Sequence, residues 1–307
     1  MTIAQRMGEA HYGRRRRIEH GRLLEVAQPV SPKMTALKIR VVRPALAFGL
    51  RVLGLYRHGY RQYHSLVVRR NTLALRNLPA PFEGYTLLHL SDLHIDLDPS
   101  LVDSIGAALA GLRYDCCVMT GDFRNSTIGS WHGVLEPMRR LLALVEAPVY
   151  AVLGNHDFVD MVEPLERLGM RFLVNESVPL ARGDGAIHLV GVDDPNIYAT
   201  HDLAHALRGV PEGGVKILLS HSPVIYREAA AHGIQAVLAG HTHGGQVCLP
   251  GGGILVHNDK SPRHMLRGAW RSGTLQGYTS VGTGACGLPV RFNCPPEVAL
   301  HALVGAP

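Results

Sequence analysis

Five short apolar runs in this chain each stop at a loop that carries aspartate, asparagine or histidine. Tyr85–Leu90 ends in Ser91-Asp92-Leu93-His94, Asp115–Met119 in Thr120-Gly121-Asp122, and Val149–Leu153 in Gly154-Asn155-His156-Asp157. Lys216–Leu219 ends in Ser220-His221-Ser222-Pro223, and Ala236–Ala239 in Gly240-His241-Thr242-His243-Gly244-Gly245-Gln246. Runs this short, bounded by turn residues, predict buried strands. Between them, apolar residues recur at helical spacing, as in Leu101, Ile105, Ala108 and Leu112. Strands alternating with helices predict an α/β layered fold. In open α/β sheets, ligands are held beyond the carboxyl ends of strands. Five polar loops placed there in chain order are hard to explain as separately satisfied buried groups, because each would need its own partner.

Further helices are expected over Leu135–Val145, Met161–Leu168, Leu203–Leu207 and Ile225–His232, and further strands over Ala186–Val192, Thr279–Val281 and Glu297–Val304. Residues 64–76 predict an extended pair or one long edge strand, and Asn77–Pro81 a turn. The chain therefore divides into a basic N-terminal arm, residues 1–63, and a main domain, residues 64–307.

Charge supports that division. Residues 1–80 hold 16 of the 31 lysines and arginines and three acids; the rest of the chain holds the other 15 bases and 22 acids. Residues 1–33 are polar and basic without clear periodicity, so a disordered arm is expected. Over residues 34–58, Leu37, Val41, Ala45, Phe48, Val52 and Leu55 recur at helical spacing, with Arg40, Arg43, Arg51 and Arg57 largely on another side and Pro44 as a kink or restart. Such a helix either lies in an anionic membrane interface or packs on the domain with its arginines in water. No run of about 18 apolar residues predicts a membrane span. Ile18–Arg22 are too polar for an export signal. Five cysteines without metal-finger spacing suggest no disulfide framework, and Cys116-Cys117 read as small buried hydrophobes. The expected location is the cytoplasm, with peripheral attachment to the inner face of the cell membrane if the arm binds lipid.

The polar loops share one chemistry. Imidazole is the commonest protein ligand for transition metals, and mixed His/Asp/Asn ligation suits Mn, Fe, Zn or Co over Ca or Mg. The loop residues provide enough donors for two divalent ions about 3.5–4 Å apart, bridged by a carboxylate. The absence of cysteine among them disfavours a structural zinc site.

Asp92-x-His94, Gly121-Asp122, Gly154-Asn155-His156-Asp157, His221 and Gly240-His241-x-His243 resemble, in order, the signature blocks of the calcineurin-like metallophosphoesterase superfamily. The Gly240–Gln246 block, Gly191-Val192-Asp193-Asp194 and the Arg267 and Gly277-Tyr278 region are similar to its bacterial YkuE/YaeI-type phosphoesterase subgroup. The resemblance covers about residues 64–305. It implies a four-layer α-β-β-α sandwich of two mixed sheets flanked by helices. It also implies two divalent transition metal ions (Mn, Fe or Zn). Asp92, His94 and His243 would hold the first, Asn155, His221 and His241 the second, and Asp122 would bridge them. His156 would be no ligand but the catalytic residue, contacting the substrate phosphate and protonating the leaving oxygen. Asn155 is a further substrate-binding candidate, as is Arg124 or Asn125, for which a solvated loop is the leading reading. Protein phosphatases of the superfamily carry an acid and an arginine soon after the Gly-Asp block; Phe123-Arg124-Asn125 departs from that pattern.

The implied activity is hydrolysis of a phosphoester by a two-metal-activated hydroxide, on a diester or pyrophosphate, with a lipid-linked or membrane-surface substrate suggested by the charge asymmetry. A nucleotide phosphodiesterase or nuclease is the enzymatic alternative, which the acidic balance of residues 81–307 disfavours. A non-catalytic metal-binding scaffold is the other. Asp157 either orients His156 or caps the next turn. Asp96 and Asp98 read as turn residues or supports for the ligands. His89 reads as a core histidine, and His257 and His264 as surface.

Overall fold

The computed structural model describes residues 1–23, 42–254, 257 and 259–306. The first residues form α1 (Ile3–Met7) and α2 (Glu9–Leu23) and pack onto the domain, with Met7 and Arg15 fully buried. The expectation of a disordered arm is therefore corrected over this stretch. Thr2 and Gln5 close a capping box at the start of α1. The anchors are ionic, which is why no apolar periodicity announces these helices. Arg6 pairs with Glu166 and Glu176, both at 2.9 Å, and donates to the main-chain oxygen of Phe172 at 2.7 Å.

Next come α3 (Arg43–Val52) and α4 (Tyr56–Tyr63), separated at Gly54, whose φ of 69° few other residues would accept. Pro44 lies in the first turn of α3, where its missing N–H is harmless, so it starts a helix as expected. Leu37 and Val41 lie outside the described residues. The reading in which the apolar face packs on the domain is corrected: Leu46, Phe48, Val52 and Leu53 are exposed, and Ala47 alone of α3 is buried.

Two six-stranded sheets follow among the described residues. The first runs β1 (Val67–Leu75), β12 (Glu297–Gly305), β2 (Thr86–Leu90), β3 (Cys116–Met119), β4 (Val149–Ala151), β5 (Met170–Phe172) from edge to edge. β2 to β5 are parallel; β12 is antiparallel to β2 and parallel to β1, with Val67 opposite Glu297. Residues 64–76 thus resolve into one long edge strand. The second sheet runs β10 (Gly268–Ser272), β11 (Leu275–Thr279), β9 (Ala236–Ala239), β8 (Lys216–Leu219), β7 (Gly185–Gly191), β6 (Glu176–Arg182). Its inner strands are parallel and its two edge strands antiparallel to their neighbours.

Alternating side chains build the layers. Leu87 of β2 meets Val118, Ile217 and Leu238 between the sheets, while Leu88 and Leu90 point to the other face. There they meet residues of α5 (Leu101–Leu109), α6 (Leu135–Leu142) and α7 (Val162–Glu166), including Ile105, Met138 and Leu165. On the outer face of the second sheet, Val190, Leu218 and Val237 pack with α8 (Leu203–Ala206) and α9 (Tyr226–Ala231). The four-layer α-β-β-α sandwich of two mixed sheets is thus observed. Strands buried on both faces need continuous apolar runs, which made them legible. Each such leucine contributes about 1.5–3 kcal/mol on burial. The strand expected over Thr279–Val281 lies earlier, at β11. The chain bends after Thr279, and Ser280 is held to the end of β9 by one bond, N to Ala239 O at 2.8 Å. β5, β6 and β10 were not foreseen.

Candidate metal centre

The loops after β2, β3, β4, β8 and β9 converge at one end of the sandwich. Their backbone is unusual: Asp92, His94, Asp122, His241 and His243 all have φ between 41° and 71°. This left-handed conformation costs an ordinary residue about 1–2 kcal/mol, so the surrounding structure must hold it in place. Two neighbours must be glycine for space instead. A side chain on Gly240 would strike Ser91 and Asp92, and one on Gly154 would strike Asp122.

All seven predicted metal donors gather here. Asp122 Oδ1 accepts the His156 N–H at 2.8 Å, and Oδ2 lies 3.7 Å from His94 Nε2, 3.3 Å from His221 Nε2 and 3.8 Å from His156 Nε2. On one side, His94 Nε2 is 3.1 Å from His243 Nε2, which lies 3.5 Å from Asp92 Oδ1. On the other, His221 Nε2 is 3.0 Å from Asn155 Oδ1 and 3.2 Å from His241 Nδ1. Two donor groups thus share one carboxylate.

Each ring is aimed by its far nitrogen. His94 Nδ1 meets the Arg124 main-chain oxygen and His221 Nδ1 that of Thr120, both at 2.7 Å, so each turns Nε2 inward. His241 Nε2 is 2.8 Å from Asn196 Nδ2, and His243 Nδ1 is 3.4 Å from the buried guanidinium of Arg291. Asp92 accepts from Ser91 Oγ at 2.6 Å and from the His241 N–H. Ser91 Oγ accepts from Thr120 Oγ1 at 2.7 Å, and Thr120 Oγ1 lies 2.9 Å from His89 Nε2. His89, read as a core histidine, is fully buried, and it links this chain of hydrogen bonds from Asp92 to His301, 3.3 Å from its Nδ1.

The electrostatics suit cation binding. Burial alone would raise the Asp122 carboxyl, but His221, His156 and His94 hold it well below the carboxylate range. Burial lowers His94 to about 4, with His156 adding to the effect. Burial likewise lowers His241 and His243, while it raises Asp92 to about 6. His221 is the exception: desolvation opposes its charge, yet Asp122 beside it raises it well above the imidazole range. An ionised carboxylate among imidazoles that are mostly held neutral is the donor set a transition metal requires.

A pocket of about 280 Å³ opens onto this cluster, lined by Asp122, Asn155, His156, His241 and His243 with Gln246, His257 and Cys286. His156 stands at its mouth, Nδ1 fixed at 2.7 Å on the Asn125 main-chain oxygen. Cys286 lies close enough to His94 and His243 to complete a group of three potential ligands; nothing in its sequence context marks it. His257, read as surface, lines the rim, whereas His264 is exposed as expected. A larger groove of about 970 Å³, lined by Arg69, Arg70 and Arg267, contains none of the histidine cluster.

Three expectations change. Arg124 is neither solvated nor in the pocket lining: it is fully buried, lies over the Phe158 ring at 4.3 Å, and donates to the Ile128 main-chain oxygen at 2.7 Å. Asp157 neither orients His156 nor caps a helix. Its carboxylate accepts the N–H groups of Asp122, Phe123 and Gly154, each at 2.8 Å, and so fastens the loop after β3 to the loop after β4. Asp96 accepts the Asn125 N–H at 2.6 Å and supports the loop that holds His156, whereas Asp98 serves a turn at Ser100 and receives Tyr60 Oη at 2.8 Å.

The N-terminal helices also reach the centre. Arg15 of α2 forms ion pairs with Glu19 and Asp193, stacks at 3.9 Å on Tyr198, and donates to the main-chain oxygens of Gly154 and Asp157 at 3.3 and 2.8 Å. A residue nearly 140 positions upstream in sequence thus supports both ends of the Gly154–Asp157 loop.

A family model described as calcineurin-like phosphoesterase matches residues 85–245, a span that contains all seven donors and His156. The chain is 30% identical over 251 residues to an uncharacterised metallophosphoesterase, YkoQ, of Bacillus subtilis, which covers 77% of this chain and 90% of that protein. An uncharacterised metallophosphoesterase of Helicobacter pylori is 30% identical over 274 residues, covering 84% and 70%. YkuE of Bacillus subtilis, also an uncharacterised metallophosphoesterase, is 26% identical over 260 residues, covering 80% and 89%.

Proposed function

The chain belongs to the calcineurin-like phosphoesterase family, and we propose that it hydrolyses a phosphodiester or pyrophosphate at two divalent transition metal ions held around Asp122. Metal-dependent phosphoester hydrolysis is the activity of the family. Asp92, His94 and His243 would hold one ion and Asn155, His221 and His241 the other. One observation carries this assignment: Asp122 Oδ2 lies within 4 Å of both His94 Nε2 and His221 Nε2, each ring being held from behind by a main-chain oxygen. When bound, such a pair supplies charge that offsets the negative charge developing on the phosphoryl oxygens, and lowers the pKa of water so that hydroxide is present at neutral pH.

The remaining work falls to the chain itself. His156 donates Nδ1–H to Asn125 O and leaves Nε2 at the pocket mouth, 3.8 Å from Asp122 Oδ2. From there Nε2 contacts a phosphoryl oxygen and passes its proton to the leaving oxygen. Asn155 contacts the same phosphate from the loop that Arg15 and Asp157 hold in place. Among the described residues, no arginine or lysine lines this pocket. A diester, with one negative charge, needs fewer cationic contacts than a dianionic monoester or a pyrophosphate, and this supports the diester side of the reading.

The test is metal-stripped protein with Mn, Zn, Fe, Co or Mg restored, assayed on bis(p-nitrophenyl) phosphate and p-nitrophenyl phosphate. Turnover that returns with metal, favours the diester and disappears in Asp122→Asn is expected. Metal binding without turnover on either reporter would favour the scaffold reading, and no metal binding at all would remove the assignment.

A further inference from the structure

Ten large hydrophobic residues are exposed among the described residues, and eight of them fall in two places. Val42, Leu46, Phe48, Val52, Leu53 and Leu55 belong to α3 and its ends; Val247 and Leu249 follow directly on Gln246 of the metal pocket. Phe48, Val52 and Leu53 are 68–70% exposed, far more than a helix packed on its own domain would leave.

The two places are linked through the rim of the pocket. α4 holds the loop after Cys286: Gly59 O accepts the Arg291 N–H at 3.0 Å, and Gln62 Oε1 accepts the Asn293 N–H at 3.0 Å. Phe292 of that loop pairs with Val247, and Gln246 Nε2 donates to Cys286 O at 3.0 Å. At the head of α3, the Arg43 guanidinium lies against Gly287, next to the pocket residue Cys286. The exposed apolar side chains therefore stand on elements that border the mouth of the metal centre.

Charge selects the occupant. No aspartate or glutamate occurs between Glu25 and Glu83, while Arg43 and Arg51 lie on α3 and Arg57 and Arg61 on α4. A second copy of the chain would set these arginines against their own counterparts. An anionic bilayer offers hydrocarbon to the apolar residues and phosphate to the arginines at matching depths.

We propose that α3 and the Val247–Leu249 loop form a docking surface for an anionic phospholipid bilayer, which brings the metal centre to phosphoesters at the membrane surface. The proposal deepens the phosphoesterase reading by naming where its substrate is met. It narrows the expected lipid contact of the 1–63 arm to α3 and its surroundings, because α1 and α2 are packed against the domain.

The test is cosedimentation of the full-length protein with vesicles of phosphatidylcholine alone or with about 30% phosphatidylglycerol, alongside Phe48→Ser/Val52→Ser/Leu53→Ser and Val247→Ser/Leu249→Ser. Binding to the anionic vesicles, weakened by salt and reduced at least about tenfold by the triple substitution, is expected. Phe48→Trp should show a blue-shifted emission on binding that brominated lipid quenches. Metal-restored turnover of the soluble diester should be unchanged in the triple variant, so a failure of docking and a failure of the catalytic reading are distinguishable. No binding to anionic vesicles at low salt would overturn the proposal. So would vesicle binding that the triple substitution leaves intact, or self-association through Phe48, Val52 and Leu53 without vesicle binding.

Discussion

Arg15 donates Nη2–H to the main-chain oxygen of Asp157 at 2.8 Å, joining the second helix of the chain to the loop that carries His156. Asp193 and Glu19 lie buried on either side of this guanidinium and pair with it, Glu19 also reaching Arg16 at 3.5 Å. Arg15→Ala leaves both acids without it, and breaking a buried ion pair in this way costs about 3–5 kcal/mol. Equilibrium urea unfolding should show that loss. Turnover at a temperature where the variant is still folded should also fall, about tenfold or more, because the Gly154–Asp157 loop loses its clamp. Arg15→Lys should restore stability only in part, since one ammonium cannot serve two acids and two carbonyls. Unchanged turnover in a folded Arg15→Ala protein would limit the residue to a structural role.

His156 and Asp122 separate catalysis from metal holding. His156→Ala should keep metal stoichiometry by elemental analysis while turnover falls about 10²–10⁴-fold. Asp122→Asn should lose metal affinity and turnover together. Loss of metal in both variants would move His156 into the ligand set.

Gly154 offers a more local lever. Its φ is not in the left-handed region, but the new methyl group would occupy the space of the Asp122 carboxylate and press on the Asp122 main-chain nitrogen. Gly154→Ala should weaken metal binding, read by calorimetric titration, more than it lowers the melting temperature of the metal-free protein.

Acid should destabilise the fold through the two buried histidines of the first sheet, His89 and His301. Burial lowers His89 to about 3, and His301, 3.3 Å away, lies well below the imidazole range for the same reason. The unfolded chain binds these protons near pH 6.5 and the folded chain does not. Stability contributed by the neutral rings is therefore complete above that pH. For His89 it is lost as the pH falls from 6.5 toward 3, by up to about 1.4 kcal/mol per pH unit. Melting temperature against pH should show this slope, and His89→Gln/His301→Gln should flatten it.

The sequence made the centre legible because its donors follow apolar strands in a fixed order, and strands buried on both faces cannot hide their composition. Its supports were less visible. Asn196, Arg291 and Cys286 reach the histidines from loops with no local pattern. Arg15 lay in a basic run whose partner Asp193 is 178 residues away, so the run looked solvated. Arg124 was misread for the related reason that loop arginines are usually exposed; here Phe158 and two carbonyls hold it inside. Among the strands, β6 and β10 are sheet edges with exposed positions, and Pro179 in β6 is tolerable only at such an edge.

β12 lies between β1 and β2, yet it comes last in sequence. During synthesis β1 must wait for a partner more than two hundred residues downstream, which at cellular rates is on the order of ten seconds or more. Over that interval its hydrogen-bonding edge is open to other nascent chains, and chaperone cover has its longest task there. A message truncated just before Glu297 would still encode every metal donor. Its product would lack β12 and leave β1 without its neighbour, so β12 must be made before the first sheet can close beneath these loops.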